Sequence, residues 1–230
     1  MAAARDLMAD IRRELAPLAE RVREHAYIRV LSEGSIPRDK LRLFAGEQYH
    51  IIDHDARSFA LLLSRQGHPI IRRFLAASVD YEMAAFEAVM PFAKALGMTE
   101  ADLKAYEPMP GAHAYTAFLG LTAAHGSAAD MAGAFVVDLE GWGGNCAAMS
   151  RILREHYGFE PAALAFFDHF AAEDPTFQDR SMEVIDRVLA GTADSDAAAH
   201  SIRRTARLML SYEIMYWDTL LAASLEDSAP

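Results

Sequence analysis

The sequence predicts an all-α fold, and three observations carry that reading. Helix-forming residues dominate, with Ala abundant throughout. Alternating β-branched runs bounded by turns are nearly absent, the nearest being Ala134 to Val137. Apolar residues recur over long segments at the three-to-four-residue spacing of a helix.

Each element follows from its punctuation. The first helix spans 4–32 and stops before Ser35, Ile36 and Pro37. The second runs over 38–66 to the break at Gly67, His68 and Pro69, and the third over 70–96 to Gly97, a C-terminal stop. Thr99 with Asp102 three residues on forms a capping box for a short helix over 100–106. The stretch from Pro108 to Gly111 separates it from 113–125, and 128–156 follows. Gly158 and Pro161 end that helix, 160–173 comes next, and Asp174–Pro175 closes it. The last two helices span 176–190 and 195–225, with Asp194 or Ser195 capping the latter. Residues 226–230 are expected to fray. No composition break or repeat divides residues 1–230, so the expectation is a single-domain helical bundle.

Composition narrows the function class. The 230 residues carry 22 Lys+Arg against 33 Asp+Glu, a net charge of −11. An acidic surface repels polyanions, so neither nucleic acid nor an anionic membrane is a natural partner. No run of four basic residues overrides this. The one Cys excludes an internal disulfide and a Cys-based zinc cluster. No apolar run approaches the ~20 residues of a membrane span, and the N-terminus lacks the apolar stretch of a secretory signal. A soluble, cytoplasmic protein is the expectation.

Polar residues on apolar faces are the informative positions. Each residue turns a helix by about 100°. In 38–66, Gln48 and Asp55 sit at the middle of the face made by Leu41, Phe44, Ile51, Ile52, Phe59 and Leu62. Glu47, His50 and His54 fall toward its edge or outside, a solvated face. Glu82 is central on the face of Ile71, Leu75, Val79, Phe86 and Val89. Asp138, with Asn145 two turns on, lies on the face of Met131, Phe135, Trp142, Cys146 and Met149, whereas Glu140 points to solvent. Glu213 is central among Ile202, Met209, Leu210, Trp217 and Leu220. An isolated buried carboxylate costs several kcal/mol, roughly, unless paired or hydrated. Acids on separate helices satisfy one another best in a shared polar cavity, which is the expectation here.

Specific chemistries make distinct demands on these positions. Di-iron bundles use Glu-x-x-His motifs. One occurs, Glu47 to His50, but its phase points away from the apolar face. Glu82, Asp138 and Glu213 remain as carboxylates, and His169, with Glu173 four residues on, lies at the edge of the Phe166, Phe167 and Phe170 face. Cys146 has no basic neighbour on its helix and reads as inert packing. No nucleophile elbow or phosphate loop is present, since no strand precedes Gly141–Trp142–Gly143–Gly144. Tyr49, Tyr81, Tyr115, Trp142, Phe166, Phe170, Tyr212, Tyr216 and Trp217 lie on or beside the same faces. Most are core, with a subset able to stack a flat ring.

Three stretches resemble the TenA family, whose best-known activity is thiaminase II. The first runs from His25 through Ser35–Ile36–Pro37 to Phe44 and on to Glu47–Gln48–Tyr49, similar to the family's opening helix, turn and Gln-Asp-Tyr motif. The second is Ala114–Tyr115–Thr116, then Gly126–Ser127 and the run to Trp142. The third is Tyr212 to Asp218, close to the family's final Glu-x-x-Phe-Trp-Asp. The resemblance implies a haem-oxygenase-like bundle with a central pocket. It matches the family's inward Glu to Glu213 and its pocket Tyr to Tyr115. It departs elsewhere: the aminopyrimidine-binding Asp aligns with Gln48, the Tyr three residues on with Ile51, and the catalytic Cys with Asp138. Further pocket Tyr positions fall at Trp142 and near Phe170. Cys-dependent thiaminase chemistry is therefore not expected.

The expected function is a TenA-like hydrolase or salvage enzyme acting on a small heteroaromatic, thiamin-related aminopyrimidine-like compound. Glu213 and Asp138 would do the proton work, with Gln48, Asp55, Glu82, Tyr115, Trp142 and Phe170 binding substrate and no cofactor. One alternative is a PqqC-like or di-iron oxidase on the same fold, with iron on Glu82, Asp138, His169 and Glu213. Another is a non-catalytic regulatory protein that binds a small molecule. The resemblance also implies a homodimer or homotetramer.

Overall fold

The computed structural model describes residues 2–172, 174 and 176–226. Glu173, Pro175 and the tail from residue 227, about which the sequence raised expectations, lie outside that range. All regular structure among the described residues is helical. In chain order the α-helices are α1 (Ala2–Arg23), α2 (Ala26–Ser32), α3 (Leu41–Ser64), α4 (Pro69–Ala95), α5 (Glu100–Lys104), α6 (Pro110–His125), α7 (Ala128–Tyr157), α8 (Ala165–Ala171), α9 (Phe177–Gly191) and α10 (Ser195–Leu225). Short 3₁₀ turns at Arg38–Lys40 and Pro161–Leu164 lead into α3 and α8.

Local chemistry sets most of the boundaries. Thr99 and Asp102 form the expected capping box, and Ser127 with Asp130 forms a second one at the start of α7. Asp194 accepts from the Ala197 N–H and caps α10. Gly97 and Gly158 adopt positive φ after α4 and α7, where a side chain would be strained.

The structure departs from the expected elements in three places. The segment 4–32 is two helices, broken at His25, whose backbone is extended. His25 Nδ1 accepts from the Tyr27 N–H and so caps α2. With Nδ1 accepting, Nε2 carries the proton and donates to Asp218 Oδ1 at 3.0 Å, tying the break to α10. The segment 160–173 begins as a 3₁₀ turn, so α8 is only one to two turns long. The helix expected over 113–125 starts earlier, at Pro110, because Pro at the first helical position lacks only an N–H that has no helical acceptor anyway.

Two apolar clusters fill the interior. An aromatic one is built on Tyr27, Phe44, Phe92, Phe166, Phe167 and Trp217. The other, more aliphatic, is built on Met8, Ile11, Leu75, Met131, Met209 and Leu210. Tyr115 and Leu139 pack against both clusters. At this seam α3 packs on α4 and α6, and α10 packs on α6 and α7. No helix among the described residues is long and apolar enough to cross a membrane.

Candidate functional site

A cavity lies at the seam between the clusters. Its wall contains Gln48, Asp55, Glu82, Tyr115, Asp138, Trp142, Phe170 and Glu213, the eight positions singled out from the sequence. The apolar remainder is Ile51, Ile52, Phe135 and Leu139. Tyr216 completes the wall, a residue the helical phase placed only beside the face; its position one turn after Glu213 was the available signal. The cavity volume is about 30 Å³, room for about two water molecules. A ligand the size of a single ring would fit only if wall side chains moved.

The acids are buried, each at most 3% exposed. Their partners differ. Tyr115 O–H donates to Asp138 Oδ2 at 2.8 Å. Thr116 O–H donates to Asp55 Oδ1. Trp217 Nε1–H donates to Glu213 Oε1 at 3.2 Å. Asp138 and Glu213 lie close enough to act on each other, and Asp138 Oδ1 and Glu213 Oε2 find no other partner among the described residues; a hydrogen bond between the carboxyls requires a proton on one of them. Gln48 Nε2–H donates to the Tyr216 hydroxyl at 2.9 Å. Glu82 Oε2 and Gln48 Oε1 are buried and find no partner among the described residues.

This environment separates the protonation states. Burial pushes the Asp138 carboxyl up to about 6, held there by hydrogen bonds from Glu213 and Tyr115. Glu213 goes well above the carboxylate range, first by burial and then by the charge and hydrogen bond of Asp138. Burial takes Asp55 to about 8, against the Thr116 hydrogen bond and helped by Asp138. Glu82 is raised well above its ordinary value by burial, then by Asp55 and Asp138. Burial and mutual repulsion thus drive Glu213 more strongly toward its protonated form than Asp138. Such a split lets one carboxyl act as base while its neighbour acts as acid.

Several expectations are corrected. Glu47, expected on a solvated face, is 0% exposed. Its Oε1 accepts from Tyr106 O–H and from the Met109 N–H, both at 2.8 Å, so it anchors the segment leading into α6. His50 is half-buried against the Leu103 carbonyl, and only His54 is exposed. Asn145 is off the cavity wall and donates to the Val22 carbonyl at the end of α1, at 3.0 Å, an oxygen that also accepts from the His25 N–H. The iron set of Glu82, Asp138, His169 and Glu213 is not assembled. The His169 ring packs on Tyr81, 4.2 Å between centroids, away from the cavity wall. Among the described residues no three His, Cys, Asp or Glu side chains are placed to hold a metal ion. Cys146 is fully buried, its thiol pushed up by burial and then by Glu213, as packing requires.

Helices closed on a central cavity define the class of the protein, the haem-oxygenase-like fold. A domain of unknown function with a heme oxygenase-like fold from Shewanella denitrificans superposes with TM-score 0.75 at 14% identity, covering 93% of this chain and 91% of that one. A TenA homologue from Pseudomonas syringae pv. tomato gives TM-score 0.80 at 16% identity, covering 93% and 92%. The model of the TENA/THI-4/PQQC family matches residues 12–223, and the chain belongs to that family. An aminopyrimidine aminohydrolase from Halalkalibacterium halodurans is 29% identical over 128 residues, 54% of this chain and 55% of its own. That match spans about half the length of the relative.

Proposed function

We propose that this protein is a hydrolase that releases an amine from a small aminopyrimidine-like heteroaromatic compound in the central cavity. The observation that carries the reading is the pair of buried carboxyls, Asp138 and Glu213, side by side on the cavity wall, with Glu213 driven further toward its protonated form. The aminopyrimidine aminohydrolase of H. halodurans supports the substrate class.

In this reading a water molecule donates its proton to Asp138 as its oxygen attacks the carbon bearing the leaving nitrogen. Glu213 protonates that nitrogen as the C–N bond breaks. The products are the hydroxylated ring, the free amine, a protonated Asp138 and an ionised Glu213. The proton then returns across the hydrogen bond joining the two carboxyls, which resets the site without bulk solvent. Tyr115 holds Asp138 in place through its hydroxyl. Trp142 and Phe170, whose rings meet edge to face at 5.8 Å, offer apolar surface to the ring. No thiol takes part, because Cys146 is off the cavity wall.

The test is amine release from a panel of aminopyrimidines. Wild-type protein is expected to turn over at least one of them. Glu213→Gln and Asp138→Asn are each expected to lower kcat by about 100-fold or more, the usual worth of a positioned acid or base. An ordinary rate in Glu213→Gln overturns the assignment. Thermal stabilisation by an aminopyrimidine with no turnover points instead to a binding role.

A further inference from the structure

A second cavity takes no part in the proposed reaction, an open groove of about 280 Å³ between α3 and α6. Its polar wall is His54, Arg57 and Ser58 of α3 with His113 and Thr116 of α6. The chain carries a net charge of −11, yet no Asp or Glu is among the described residues of this wall. The His54 and His113 rings meet edge to face, 5.0 Å between centroids, so donors from two helices converge. His113 Nδ1 is buried and has no hydrogen-bond partner among the described residues. Burial holds the His113 ring below its ordinary pKa, and His54 and His50 push it the same way, so the three rings share one field. Arg57 Nε pairs with Asp53 Oδ2 at 2.9 Å, which leaves the terminal nitrogens of the guanidinium for another acceptor. Leu61, Ala117 and Gly120 give the groove an apolar flank. Thr116 stands between the groove and the central cavity: it lines the groove while its O–H donates to Asp55 on the cavity wall.

We propose that this groove binds a small phosphate monoester, its phosphate on His54, Arg57, Ser58 and His113 and its organic part on the apolar flank. The donor set selects the anion. A phosphate presents three terminal oxygens in a tetrahedral spread, which suits donors arriving from two helices, whereas a carboxylate presents two in one plane. Arg is the side chain fitted to two-point recognition of such oxygens. The groove is far roomier than the central cavity of about 30 Å³, so an organic body fits beside the phosphate. The central cavity does not compete for this ligand, because its described wall carries four acids and no Lys, Arg or His. The site is independent of the reaction assigned to that cavity.

The experiment is NMR of the histidine rings of the full chain, titrated at one pH with phenyl phosphate, inorganic phosphate, benzoate and phenol. Phenyl phosphate is expected to shift the His54 and His113 rings and to leave His156 and His200, which are off the groove wall, in place. It should bind about tenfold or more tighter than benzoate or phenol, and tighter than inorganic phosphate. Arg57→Gln alters a side chain that is 75% exposed, so folding is not at stake, and should weaken phenyl phosphate by about tenfold. Gly120→Asp should abolish binding by placing a like charge in the groove; its Cβ would meet only Ser58 Oγ, at an ordinary 3.7 Å. Glu213→Gln, which alters the central cavity alone, should leave the affinity unchanged. Absence of the two ring shifts overturns the site, and so does binding that survives both Arg57→Gln and Gly120→Asp. Benzoate binding as tightly as phenyl phosphate overturns the phosphate assignment, and inorganic phosphate doing so overturns the monoester. Loss of binding in Glu213→Gln places the anion in the central cavity and overturns the groove.

Discussion

The proposed chemistry is concentrated in the side chain of Asp138. The resemblance aligns it with the family's catalytic Cys, and the structure surrounds it with a tyrosine hydroxyl and a second carboxyl. Its pKa, raised by burial to about 6, has a direct kinetic consequence. If Asp138 is the base, kcat/KM rises through a midpoint near 6 and falls again only where Glu213, driven well above the ordinary carboxylate value, loses its proton. Tyr115→Phe removes a hydrogen bond that favours the ionised carboxylate, so that midpoint should move upward. A pH–rate profile of the two proteins checks this, and an unchanged or lowered midpoint counts against Asp138 as base. Asp138 and Glu213 were legible from helical phase alone, because each sits where its helix needs a Leu. Glu47 was not. Its burial depends on the segment carrying Tyr106 and Met109, which closes over it from outside the helix period.

Between residue and bundle, α7 is the element that tells most. It spans Ala128–Tyr157 and carries Asp138, Trp142 and the glycine cluster. Those glycines do different things. A Cβ on Gly141 would lie 2.7 Å from Val22 Cγ1, and one on Gly143 would lie 2.9 Å from the Phe170 carbonyl oxygen. Gly141 thus admits α1 and Gly143 admits the backbone of α8, which sets Phe170 on the cavity wall. Gly144 faces open space. Gly143→Ala is therefore expected to destabilise by about 1–3 kcal/mol, since backbone must move, and to weaken ligand binding by displacing Phe170. Gly144→Ala should stabilise by about 0.5–1 kcal/mol, relieving the entropic cost of a helical glycine. Urea denaturation separates the two, and equal effects would refute this account of the packing.

For the molecule as a whole, the buried acids set the response to pH. The unfolded chain gives up a carboxyl proton near pH 4. The folded chain keeps one on Asp55 until about pH 8, and on Glu82 and Glu213 beyond the ordinary carboxylate range. Between those limits the native state binds more protons than the unfolded one, so its stability falls as pH rises. Each such proton contributes a slope of about 1.4 kcal/mol per pH unit while it is retained. Thermal unfolding should accordingly show a higher Tm at pH 6 than at pH 8.5. Asp55→Asn, which carries no proton to lose, should flatten that slope between pH 5 and 8. The same slope in both proteins would show that Asp55 ionises as freely in the fold as outside it. The acids thus make the folded state less stable as pH rises.

The sequence by itself determined the helices, most of their ends and the inward position of Gln48, Asp55, Glu82, Asp138 and Glu213. These are properties of short-range geometry: a helix turns by about 100° per residue, and caps act within four residues. It determined the family too, through three stretches kept in order along the chain. Tertiary structure decided what the helical period cannot carry. The break at His25 is held by Asp218, a residue far along the chain. The diversion of His169 onto Tyr81 depends on how α8 packs against α4. The uneven upward drive on the acids belongs to the assembled cavity, because desolvation and the fields of neighbouring carboxyls exist only once six helices have closed around them.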